Sequence, residues 1–339
     1  TPLLAITGTD GKSTTTAWLG NIVSADRSCW VGGNIGIALC EGLSKITDHT
    51  VVAEISNAQL VSAPSFHPDV AVVTNIAPDH LDYHGGFTGY IAAKKHILSH
   101  LTAQDTAVLN ATNDITKTWN APRVVWFGAE QGSEHVYVKN GVLHARIEQF
   151  SGPIIDTREL PLPGPHNQYN AMAAAAAALS HGVGIDAVRS GLRSFHGLAH
   201  RLEFVTQFRG IKFYNDSKAT NPHAAIAGLS AFGNERLVVI AGGSAKDADF
   251  TGWAEVAVKH CHHIVLCGAT ADTLADALGE RIPTTITESL SDALNVAIAA
   301  AKTGVVALSP ACASFDQFNN FEHRGDVFRN LVLSMAEQS

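Results

Sequence analysis

The feature that most constrains the fold is a glycine-containing turn between an apolar run and a helical stretch. The apolar run is Leu3–Thr7, the turn reads TGTDGKST at residues 7–14, and the helical stretch is Lys12–Ser24. Gly8 and Gly11 permit the positive φ angles that let backbone N–H groups converge on an anion. A phosphate loop requires this strand–turn–helix setting, which is typical of parallel α/β sheets. The sequence therefore predicts a phosphate-binding α/β domain.

Two side chains of this loop suit a nucleotide. Lys12 offers a positive charge to the β- and γ-phosphates, and Ser13 offers a hydroxyl group to Mg²⁺. The general phosphate-loop pattern places a glycine five positions before Gly11, where this sequence has Ile6. The alternative is a plain strand-to-helix turn with an exposed lysine. The Gly-Lys-Ser order at the junction favours phosphate binding.

The composition of the 339-residue chain fits an ordered protein of two domains. Hydrophobic residues make up 46% and charged residues 16%, which excludes general disorder. The formal net charge of −8 supplies no basic stripe for nucleic acid, and no apolar run reaches the ~18 residues of a membrane span. Five scattered cysteines without metal-binding spacing indicate reduced thiols in a cytoplasmic protein.

Apolar runs alternate with helical stretches along nearly the whole chain, which predicts mainly parallel sheets covered by helices. The Asn-Gly pair at residues 140–141 predicts a small antiparallel patch formed by 134–138 and 142–147. A boundary near Gly197 separates residues 1–197 from a Rossmann-like α/β domain at 198–339, which lacks a dinucleotide motif. The other predicted strands are 3–7, 51–55, 70–75, 107–110, 124–127, 204–208, 211–214, 237–241, 264–267, 284–287 and 305–308. The predicted helices are 12–24, 90–101, one beginning near 167, 222–231, 252–259, 271–278, 290–301 and 317–336.

In the first domain, polar residues follow two predicted strands at the edge where ligands bind in parallel sheets. Glu54 ends one strand, and His80 lies in the sequence DHLD after the next. These two side chains are candidates for binding one hard cation near the phosphate loop. The alternative is that an Asp of this segment caps a helix and that the histidine is solvated. Lys94 and Lys95 lie on a predicted helix, where pattern alone favours solvated lysines.

The second domain has three polar turns after predicted strands: NDSKATN at 215–221, GGSAK at 242–246 and SPACAS at 309–314. Each turn is compatible with ligand binding or with helix capping. Thr220 or Asn221 could cap the helix that follows the first turn. Asp316 is expected to open the helix that follows the third turn. Together the three turns predict a ligand-binding edge. The run HCHH at 260–263 disfavours a zinc site, because adjacent side chains rarely point at one metal.

Taken together, these motifs resemble the Mur ligase family of ATP-dependent amide ligases over nearly the whole chain. The segment SPACASFDQFNNFEHRG at 309–325 resembles the D-glutamate-adding branch of that family in particular. The resemblance also covers the segments 8–14, 32–36, 54–56, 79–82, 93–94, 166–170, 200–203, 215–221 and 242–250.

The resemblance implies a P-loop central ATPase domain, mainly parallel with a small antiparallel patch, at 1–197. It implies a Rossmann-like D-glutamate-binding domain at 198–339. The implied reaction adds D-glutamate to UDP-N-acetylmuramoyl-L-alanine through an acyl phosphate, with ATP, in peptidoglycan synthesis. The implied protein is a cytoplasmic monomer whose partners are small molecules, with no nucleic acid and no membrane span.

The resemblance also implies roles for particular residues, which the pattern alone does not assign. Lys94 matches a lysine that reacts with CO₂ to give a carbamate, which reverses the pattern-based expectation. The implied catalytic residues are Lys12, Glu54, His80 and Lys94. The implied ligands of two Mg²⁺ ions are Ser13, Glu54, His80 and Lys94. The implied nucleotide contacts are Gly8, Thr9, Gly11, Lys12, Ser13, Thr14, Asn167, Asn170, Arg201 and Asp216. The implied substrate contacts are Asn34 and Ser56, with Asn34 on the muramoyl side, and Lys218, Thr220, Lys246, Ser314 and Phe321 for D-glutamate.

Three departures from the family pattern keep alternatives open. Asp10 stands where the family usually has Asn, which should weaken ATP affinity, and residues 57–61 read NAQLV rather than SFQLE. The two expected domains account for the 339 residues, so no counterpart of the family's N-terminal UDP-binding domain is expected among them. The alternatives are a related ligase for a UDP-free carboxylate and a nucleotide-binding scaffold without catalysis.

Overall fold

In the computed structural model, the chain divides into two compact units, Thr1–Gly197 and Leu198–Ser339. The structure describes residues 1–36, 38–42, 46–77, 86–162, 164–245 and 248–338. Two residues singled out by the sequence, His80 and Lys246, lie outside these ranges. None of the helices within these ranges is long and apolar enough to cross a membrane.

The first unit is built on a nine-stranded sheet, counted over its described residues, with the order β2-β3-β1-β4-β5-β6-β7-β8-β9. Its strands are β1 (Leu3–Thr7), β2 (Cys29–Gly33), β3 (Thr50–Glu54), β4 (Val70–Val73), β5 (Thr106–Asn110), β6 (Val124–Phe127), β7 (His135–Lys139), β8 (Val142–Ile147) and β9 (Phe150–Asp156). In the order of the sheet, neighbouring strands from β2 through β3, β1, β4, β5 and β6 to β7 are parallel. Strand β8 is antiparallel to both of its neighbours, β7 and β9. The predicted parallel sheet with an antiparallel patch is confirmed, and the patch has a third strand, β9.

Helices cover both faces of this sheet, because alternate residues of its strands point to opposite sides. Leu4 and Ile6 of β1 pack in one core with α1, α5 and α6, while Ala5 packs in a second core with α3 and α4. The alanine-rich middle of α5 is buried on all sides, so small side chains there allow close packing. The helices are α1 (Lys12–Ser24), α2 (Leu39–Gly42), α3 (Asn57–Val61), α4 (Phe87–Lys95), α5 (Pro165–Ser180) and α6 (Ile185–Ser194), with short 3-10 turns at His96–Leu98, Thr116–Thr118 and Thr157–Glu159.

The second unit is a six-stranded sheet, counted likewise over described residues, with the order β10-β11-β15-β12-β13-β14. Its strands are β10 (Glu203–Phe208), β11 (Ile211–Asn215), β12 (Leu237–Ala241), β13 (Cys261–Cys267), β14 (Thr284–Thr287) and β15 (Gly304–Leu308). Its helices are α7 (Pro222–Ser230), α8 (Thr251–His260), α9 (Ala271–Leu278), α10 (Leu290–Ala301) and α11 (Phe321–Glu337), with a 3-10 turn at Gly279–Arg281. Only β10–β11 is antiparallel among the pairs of this sheet in the described ranges. One core packs under α7, α8 and α9 and the other under α10 and α11.

Two element ends differ from their predicted positions in ways that matter for the site. The strand expected at 70–75 ends at Val73, so the next two residues leave the sheet. The helix expected from 317 begins at Phe321, because the side chain of Asn320 caps it by accepting a hydrogen bond from the N–H of His323 at 2.7 Å. Asp316 therefore does not open this helix. It lies in an exposed loop and accepts a hydrogen bond from the N–H of Ala269 at 3.0 Å.

Candidate functional site

The phosphate loop follows β1, the strand that lies between β3 and β4 in the sheet. Gly8 and Gly11 adopt φ angles of 143° and 77°, which favour glycine. Gly11 caps α1 without a side chain, and the first turn of α1 carries no acidic residue. The positive end of the helix dipole therefore faces the loop, and no carboxylate in the first turn of α1 opposes an anion there.

The end of β4 holds the loop in shape. The N–H of Asp10 donates to Oδ1 of Asn75 at 2.9 Å, and the N–H of Thr9 donates to the carbonyl oxygen of Asn75 at 2.9 Å. Oγ1 of Thr74 donates to the carbonyl oxygen of Asp10 at 2.6 Å. These contacts fix the backbone of Asp10, although Asp10 itself is exposed to solvent. The loop conformation is therefore set by the backbone and does not depend on the Asp10 carboxylate.

Lys12 and Ser13 stand at the start of α1, as the sequence predicts. Nζ of Lys12 donates to the carbonyl oxygen of Thr9 at 2.7 Å, which places the ammonium group against the loop. Ser13 is buried, and Thr14 follows it on the same first turn. The cation and the hydroxyl group thus share one short segment, an arrangement suited to phosphate oxygens and to a cation beside them.

Glu54 supplies a buried carboxylate next to the loop. It is 2% exposed and pairs with Ile6 in the β1–β3 register. Its Oε1 accepts a hydrogen bond from Nδ2 of Asn34 at 2.9 Å, whereas its Oε2 has no hydrogen-bond partner among the described residues. A buried carboxylate oxygen without a donor fits a hard cation such as Mg²⁺. No group of three His, Cys, Asp or Glu side chains with metal-holding geometry occurs in the described ranges, which do not include His80.

Lys94 is buried, at 2% exposed, so the pattern-based expectation of a solvated lysine is wrong there. Its Nζ lies 4.8 Å from the centroid of the Tyr90 ring. The hydroxyl group of Tyr90 is 3.0 Å from Oγ1 of Thr9 in the phosphate loop. Lys95, the next residue, is exposed. One aromatic ring therefore links Lys94 to the loop.

The two asparagines at the start of α5 form part of the loop's surroundings. Oδ1 of Asn170 accepts a hydrogen bond from Oγ1 of Thr15 at 3.3 Å, and its Nδ2 donates to Oδ1 of Asn167 at 3.2 Å. A side chain at Gly11 would overlap Oδ1 of Asn170. Glycine at that position therefore brings the loop and α5 into contact.

Ser56 has a local role in the structure. Its hydroxyl group accepts a hydrogen bond from the N–H of Gln59 at 3.3 Å, and Oε1 of Gln59 accepts one from the N–H of Ser56 at 2.8 Å. This reciprocal pair is a capping box that begins α3. The structure thus assigns the Ser56 hydroxyl to a helix cap.

In the second unit, Asp216 is buried at the end of β11. Its Oδ2 accepts a hydrogen bond from Oγ of Ser309 at 2.9 Å, and its Oδ1 accepts one from the N–H of Leu202 at 3.2 Å. Burial raises the pKa of this carboxyl group to about 7, although both hydrogen bonds and the charge of Arg201 act in the opposite direction. Arg201 itself is exposed.

A buried arginine joins the two polar turns that follow β11 and β15. Nε and Nη2 of Arg324 donate to Oγ and to the carbonyl oxygen of Ser217, at 3.0 and 2.9 Å. Its Nη2 and Nη1 also donate to the carbonyl oxygens of Cys312 and Ala313, at 3.1 and 3.2 Å. Burial lowers the pKa of Arg324 to about 10. The two turns are thus held together by a guanidinium group.

These turns carry the residues assigned to the amino-acid substrate. Nζ of Lys218 lies 5.7 Å from the centroid of the Phe321 ring. Ser314 is 1% exposed, and its Oγ has no hydrogen-bond partner among the described residues. Thr220 is half-buried, and Asn221 caps α7 by accepting a hydrogen bond from the N–H of Ala224 at 2.9 Å. Lys218 and Phe321 are therefore brought together, while Ser314 has an unused polar atom.

Sequence reasoning did not identify several residues that shape these sites. Thr74 and Asn75 were included in a strand, although polar residues directly after an apolar run are a usable signal. Tyr90 and Arg324 lie on helices, where nothing in a single sequence separates a buried contact from an ordinary position.

Comparisons with known proteins agree with this geometry. Residues 6–178 match the model described as Mur ligase middle domain, and residues 200–312 match the model described as Mur ligase, glutamate ligase domain. The chain is 40% identical over 345 residues to a protein of Pelotomaculum thermopropionicum named UDP-N-acetylmuramoylalanine--D-glutamate ligase, covering 99% of this chain and 76% of that protein. A protein of the same name from Acidobacterium capsulatum is 40% identical over 342 residues, covering 98% and 74%.

Solved structures share the fold. A MurF from Acinetobacter baumannii superposes with a TM-score of 0.72 at 22% identity, covering 99% of this chain and 77% of that one. A pseudomurein peptide ligase type C from Methanothermus fervidus superposes with a TM-score of 0.67 at 20% identity, covering 98% and 79%. The matched domains, the two relatives and the shared fold together show that the chain belongs to the Mur ligase family.

Proposed function

We propose that the chain is an ATP-dependent ligase that joins D-glutamate to UDP-N-acetylmuramoyl-L-alanine through an amide bond and releases ADP and phosphate. The observation that carries the proposal is the phosphate loop with Lys12 against it and the unpartnered buried oxygen of Glu54 beside it. The names of relatives at 40% identity support the choice of substrates. The segment 309–325 supports D-glutamate as the amine.

The proposed chemistry has two steps, because a free carboxylate is a poor acylating agent. First, a carboxylate oxygen of the acceptor attacks the γ-phosphorus of ATP, the bond to the ADP oxygen breaks, and an acyl phosphate forms. Second, the amine of D-glutamate attacks the acyl carbon, the bond to the phosphate oxygen breaks, and the departing phosphate takes up the proton that the amine loses. The loop N–H groups and Lys12 bind the phosphate charges in both steps.

We assign the first unit to the nucleotide and the cation. Mg²⁺, when bound, would offset the negative charge of the transferred phosphoryl group. Two such ions would be held by Oε2 of Glu54, the hydroxyl of Ser13, His80 and a carbamate on Lys94. Gly8, Thr9, Gly11, Thr14, Asn167 and Asn170 complete the nucleotide contacts of this unit. Asn34 would orient both Glu54 and the muramoyl substrate. We also propose that Ser56, whose hydroxyl group caps α3, contacts the substrate.

We assign the second unit to D-glutamate and to part of the nucleotide. Arg201 and Asp216 would contact the nucleotide. Lys218, Thr220, Lys246, Ser314 and Phe321 would contact D-glutamate. The unpartnered Oγ of Ser314 supports this assignment, because a buried hydroxyl group without a partner is favourable only when a ligand supplies one. We further propose that the protein acts as a monomer in the cytoplasm.

The carbamate on Lys94 can be tested directly. The neutral amine of Lys94 would attack the carbon of CO₂, form an N–C bond and lose a proton. With ¹³C-labelled bicarbonate, we expect a carbamate carbon signal by NMR that Lys94→Ala abolishes. Lys95→Ala is the matched control, because Lys95 is exposed and adjacent. A signal that persists in Lys94→Ala would contradict the assignment.

The function itself is tested by phosphate release. We expect release from ATP only when both D-glutamate and UDP-N-acetylmuramoyl-L-alanine are present, and none when L-glutamate replaces D-glutamate. Release with D-glutamate and a UDP-free acyl acceptor, but not with the UDP-linked one, would favour the related ligase. The altered segment 57–61 is the feature that suggests this second candidate. ATP binding without any turnover would favour the scaffold.

A further inference from the structure

A glutamate outside the assigned contacts is tied into the second unit by four donors. Oε1 of Glu203 accepts a hydrogen bond from Nε of Arg329 at 2.9 Å, and Oε2 accepts one from its Nη2 at 2.8 Å. Oε2 also accepts bonds from the N–H of His200 at 2.8 Å and from Nδ2 of Asn215 at 3.1 Å. Arg329 lies on α11, so one carboxylate joins that helix to β10 and β11.

The segment that Glu203 holds has an unusual backbone. His200 and Leu202 have φ angles of 63° and 43°, in the left-handed region that non-glycine residues rarely adopt. Arg201 lies between them and is exposed. A turn of this kind persists only when its surroundings over-determine it. We call residues 200–202 the left-handed turn.

The left-handed turn contacts two other residues assigned to substrates. The carbonyl oxygen of His200 accepts a hydrogen bond from the N–H of Lys218 at 2.9 Å. The N–H of Leu202 donates to Oδ1 of Asp216 at 3.2 Å. The turn is thus bonded to Glu203 at its start, and to Lys218 and Asp216 along its length. Arg201, Asp216 and Lys218 therefore share one backbone support.

Asn215 strengthens the same connection. Its Nδ2 lies 3.0 Å from Nδ1 of His200 and donates to the carbonyl oxygen of Gly325 at 3.1 Å. Burial lowers the pKa of His200, which favours a neutral imidazole beside this amide group. The ring of His200 is accordingly a spacer between Asn215 and α11, and the charge that holds the turn belongs to Glu203.

We propose that Glu203 is a positioning residue that holds the left-handed turn in place and thereby sets the relative positions of Arg201, Asp216 and Lys218. It contacts none of the assigned substrates itself and acts through the turn. The inference rests on the proposed function, in which Arg201 and Asp216 contact the nucleotide and Lys218 contacts D-glutamate.

The test is Glu203→Gln in the full chain. Glutamine keeps the shape of the side chain but replaces one carboxylate oxygen with an NH₂ group. The N–H groups that donate to that oxygen in the original protein then face another donor. We expect at least a tenfold rise in the Kd for ATP, measured by calorimetry, and in the KM for ATP and for D-glutamate. Hydrogen exchange of the amides of His200, Leu202 and Lys218 should accelerate. Glu235→Gln is the matched control, because Glu235 pairs with Lys212 on the surface of the same unit at 3.0 Å, and it should change none of these values.

The outcomes separate the inference from the proposed function. If the unsubstituted protein does not turn over, the proposed function fails, while the Kd for ATP and the exchange data still decide the inference. If Glu203→Gln folds and its Kd and KM values stay within twofold of the original, the inference is overturned, even if stability falls. If Glu203→Gln does not fold, Arg329→Lys takes its place, because it leaves Glu203 intact and removes the two-bond clamp. The same rise is expected, and unchanged constants in that variant would overturn the inference.

Discussion

Several charged residues of this molecule are buried, and their burial determines what their side chains can bind. Glu54, Lys94 and Asp216 are all charged side chains that are nearly inaccessible to solvent. Arg324 is equally buried and donates to carbonyl oxygens and one hydroxyl group. Buried charges are unfavourable without partners, so such positions are candidates for binding as well as for structure.

Lys12 is the residue on which phosphoryl transfer should depend most. We expect Lys12→Ala to lower D-glutamate-dependent phosphate release by about 10²-fold or more, since it removes a positive charge at the place where negative charge develops. Lys117→Ala is the control, because Lys117 is an exposed lysine of the same unit that pairs with Asp114. A Lys12→Ala variant with undiminished turnover would contradict both the ligase proposal and the role of the loop.

Asp216 should make stability depend on pH. Its pKa is about 7 in the folded protein against 3.8 for the ordinary group. Between these pH values the folded state binds more protons than the unfolded state, so the free energy of unfolding falls as pH rises from about 4 to about 7. Asp216→Asn removes this contribution while keeping an acceptor for the N–H of Leu202. Urea unfolding from pH 4.5 to 8 should therefore show a smaller decline in the variant.

Asp156 provides the control for this pH experiment. A hydrogen bond from Arg158 lowers the pKa of Asp156 to about 2. Its contribution to stability is present above about pH 4 and is lost as pH falls toward 2, so Asp156→Asn should leave the slope from pH 4.5 to 8 unchanged. Parallel curves for Asp216→Asn and the original protein would show that the Asp216 carboxyl group does not titrate in this range.

At the scale of elements, hydrophobic periodicity located those strands and helices whose apolar pattern is uninterrupted. Strands β1, β6, β12 and β14 and helices α1, α9 and α10 have the predicted bounds. Strands β2 and β9 were missed because they contain Gly or Pro, which weaken the strand pattern. Helix α6 was missed because its residues are mostly polar and include Gly191, which disfavours a helix.

The candidate sites were predictable where a motif carries them. The phosphate loop is written in consecutive residues, so Lys12 and Ser13 could be named from the sequence. Tyr90, Arg324 and Glu203 act through contacts with residues about eighty to more than a hundred positions away. Such contacts depend on how helices dock on the sheet, and a single sequence does not contain that information.

The contact between the loop and α5 can be tested with two glycines. Gly11 and Gly182 have φ angles of 77° and 79°, so alanine should cost about 1–2 kcal/mol of backbone strain at each. Only at Gly11 would the new side chain also overlap Asn170, since open space surrounds Gly182. We expect Gly11→Ala to raise the KM for ATP at least tenfold and Gly182→Ala to leave it unchanged. Equal KM values in the two variants would show that the contact with α5 is irrelevant to the nucleotide.

At the scale of the whole molecule, the chain divides into two compact units, each described with two hydrophobic cores. The two cores of the first unit and the two of the second are each made of residues from one unit alone, over the described ranges. Burial of apolar area is the main stabilising contribution to folding, and each unit has cores of its own.

We therefore expect the fragments 1–197 and 198–339 to fold separately. Each should show a cooperative urea transition by circular dichroism. A fragment ending at residue 120 is the control, because that cut separates β5 from β6 and should leave the first unit unfolded. The absence of a cooperative transition in 198–339 would contradict the independence of the units.

The clamp formed by Arg324 has a consequence for biosynthesis. Ser217 leaves the ribosome more than a hundred residues before the arginine that holds its turn to the turn at Cys312 and Ala313. A nascent chain can therefore complete its nucleotide loop early, while the two turns are joined only after α11 has been synthesised. An incomplete chain would accordingly lack the joined pair of turns to which we assign D-glutamate.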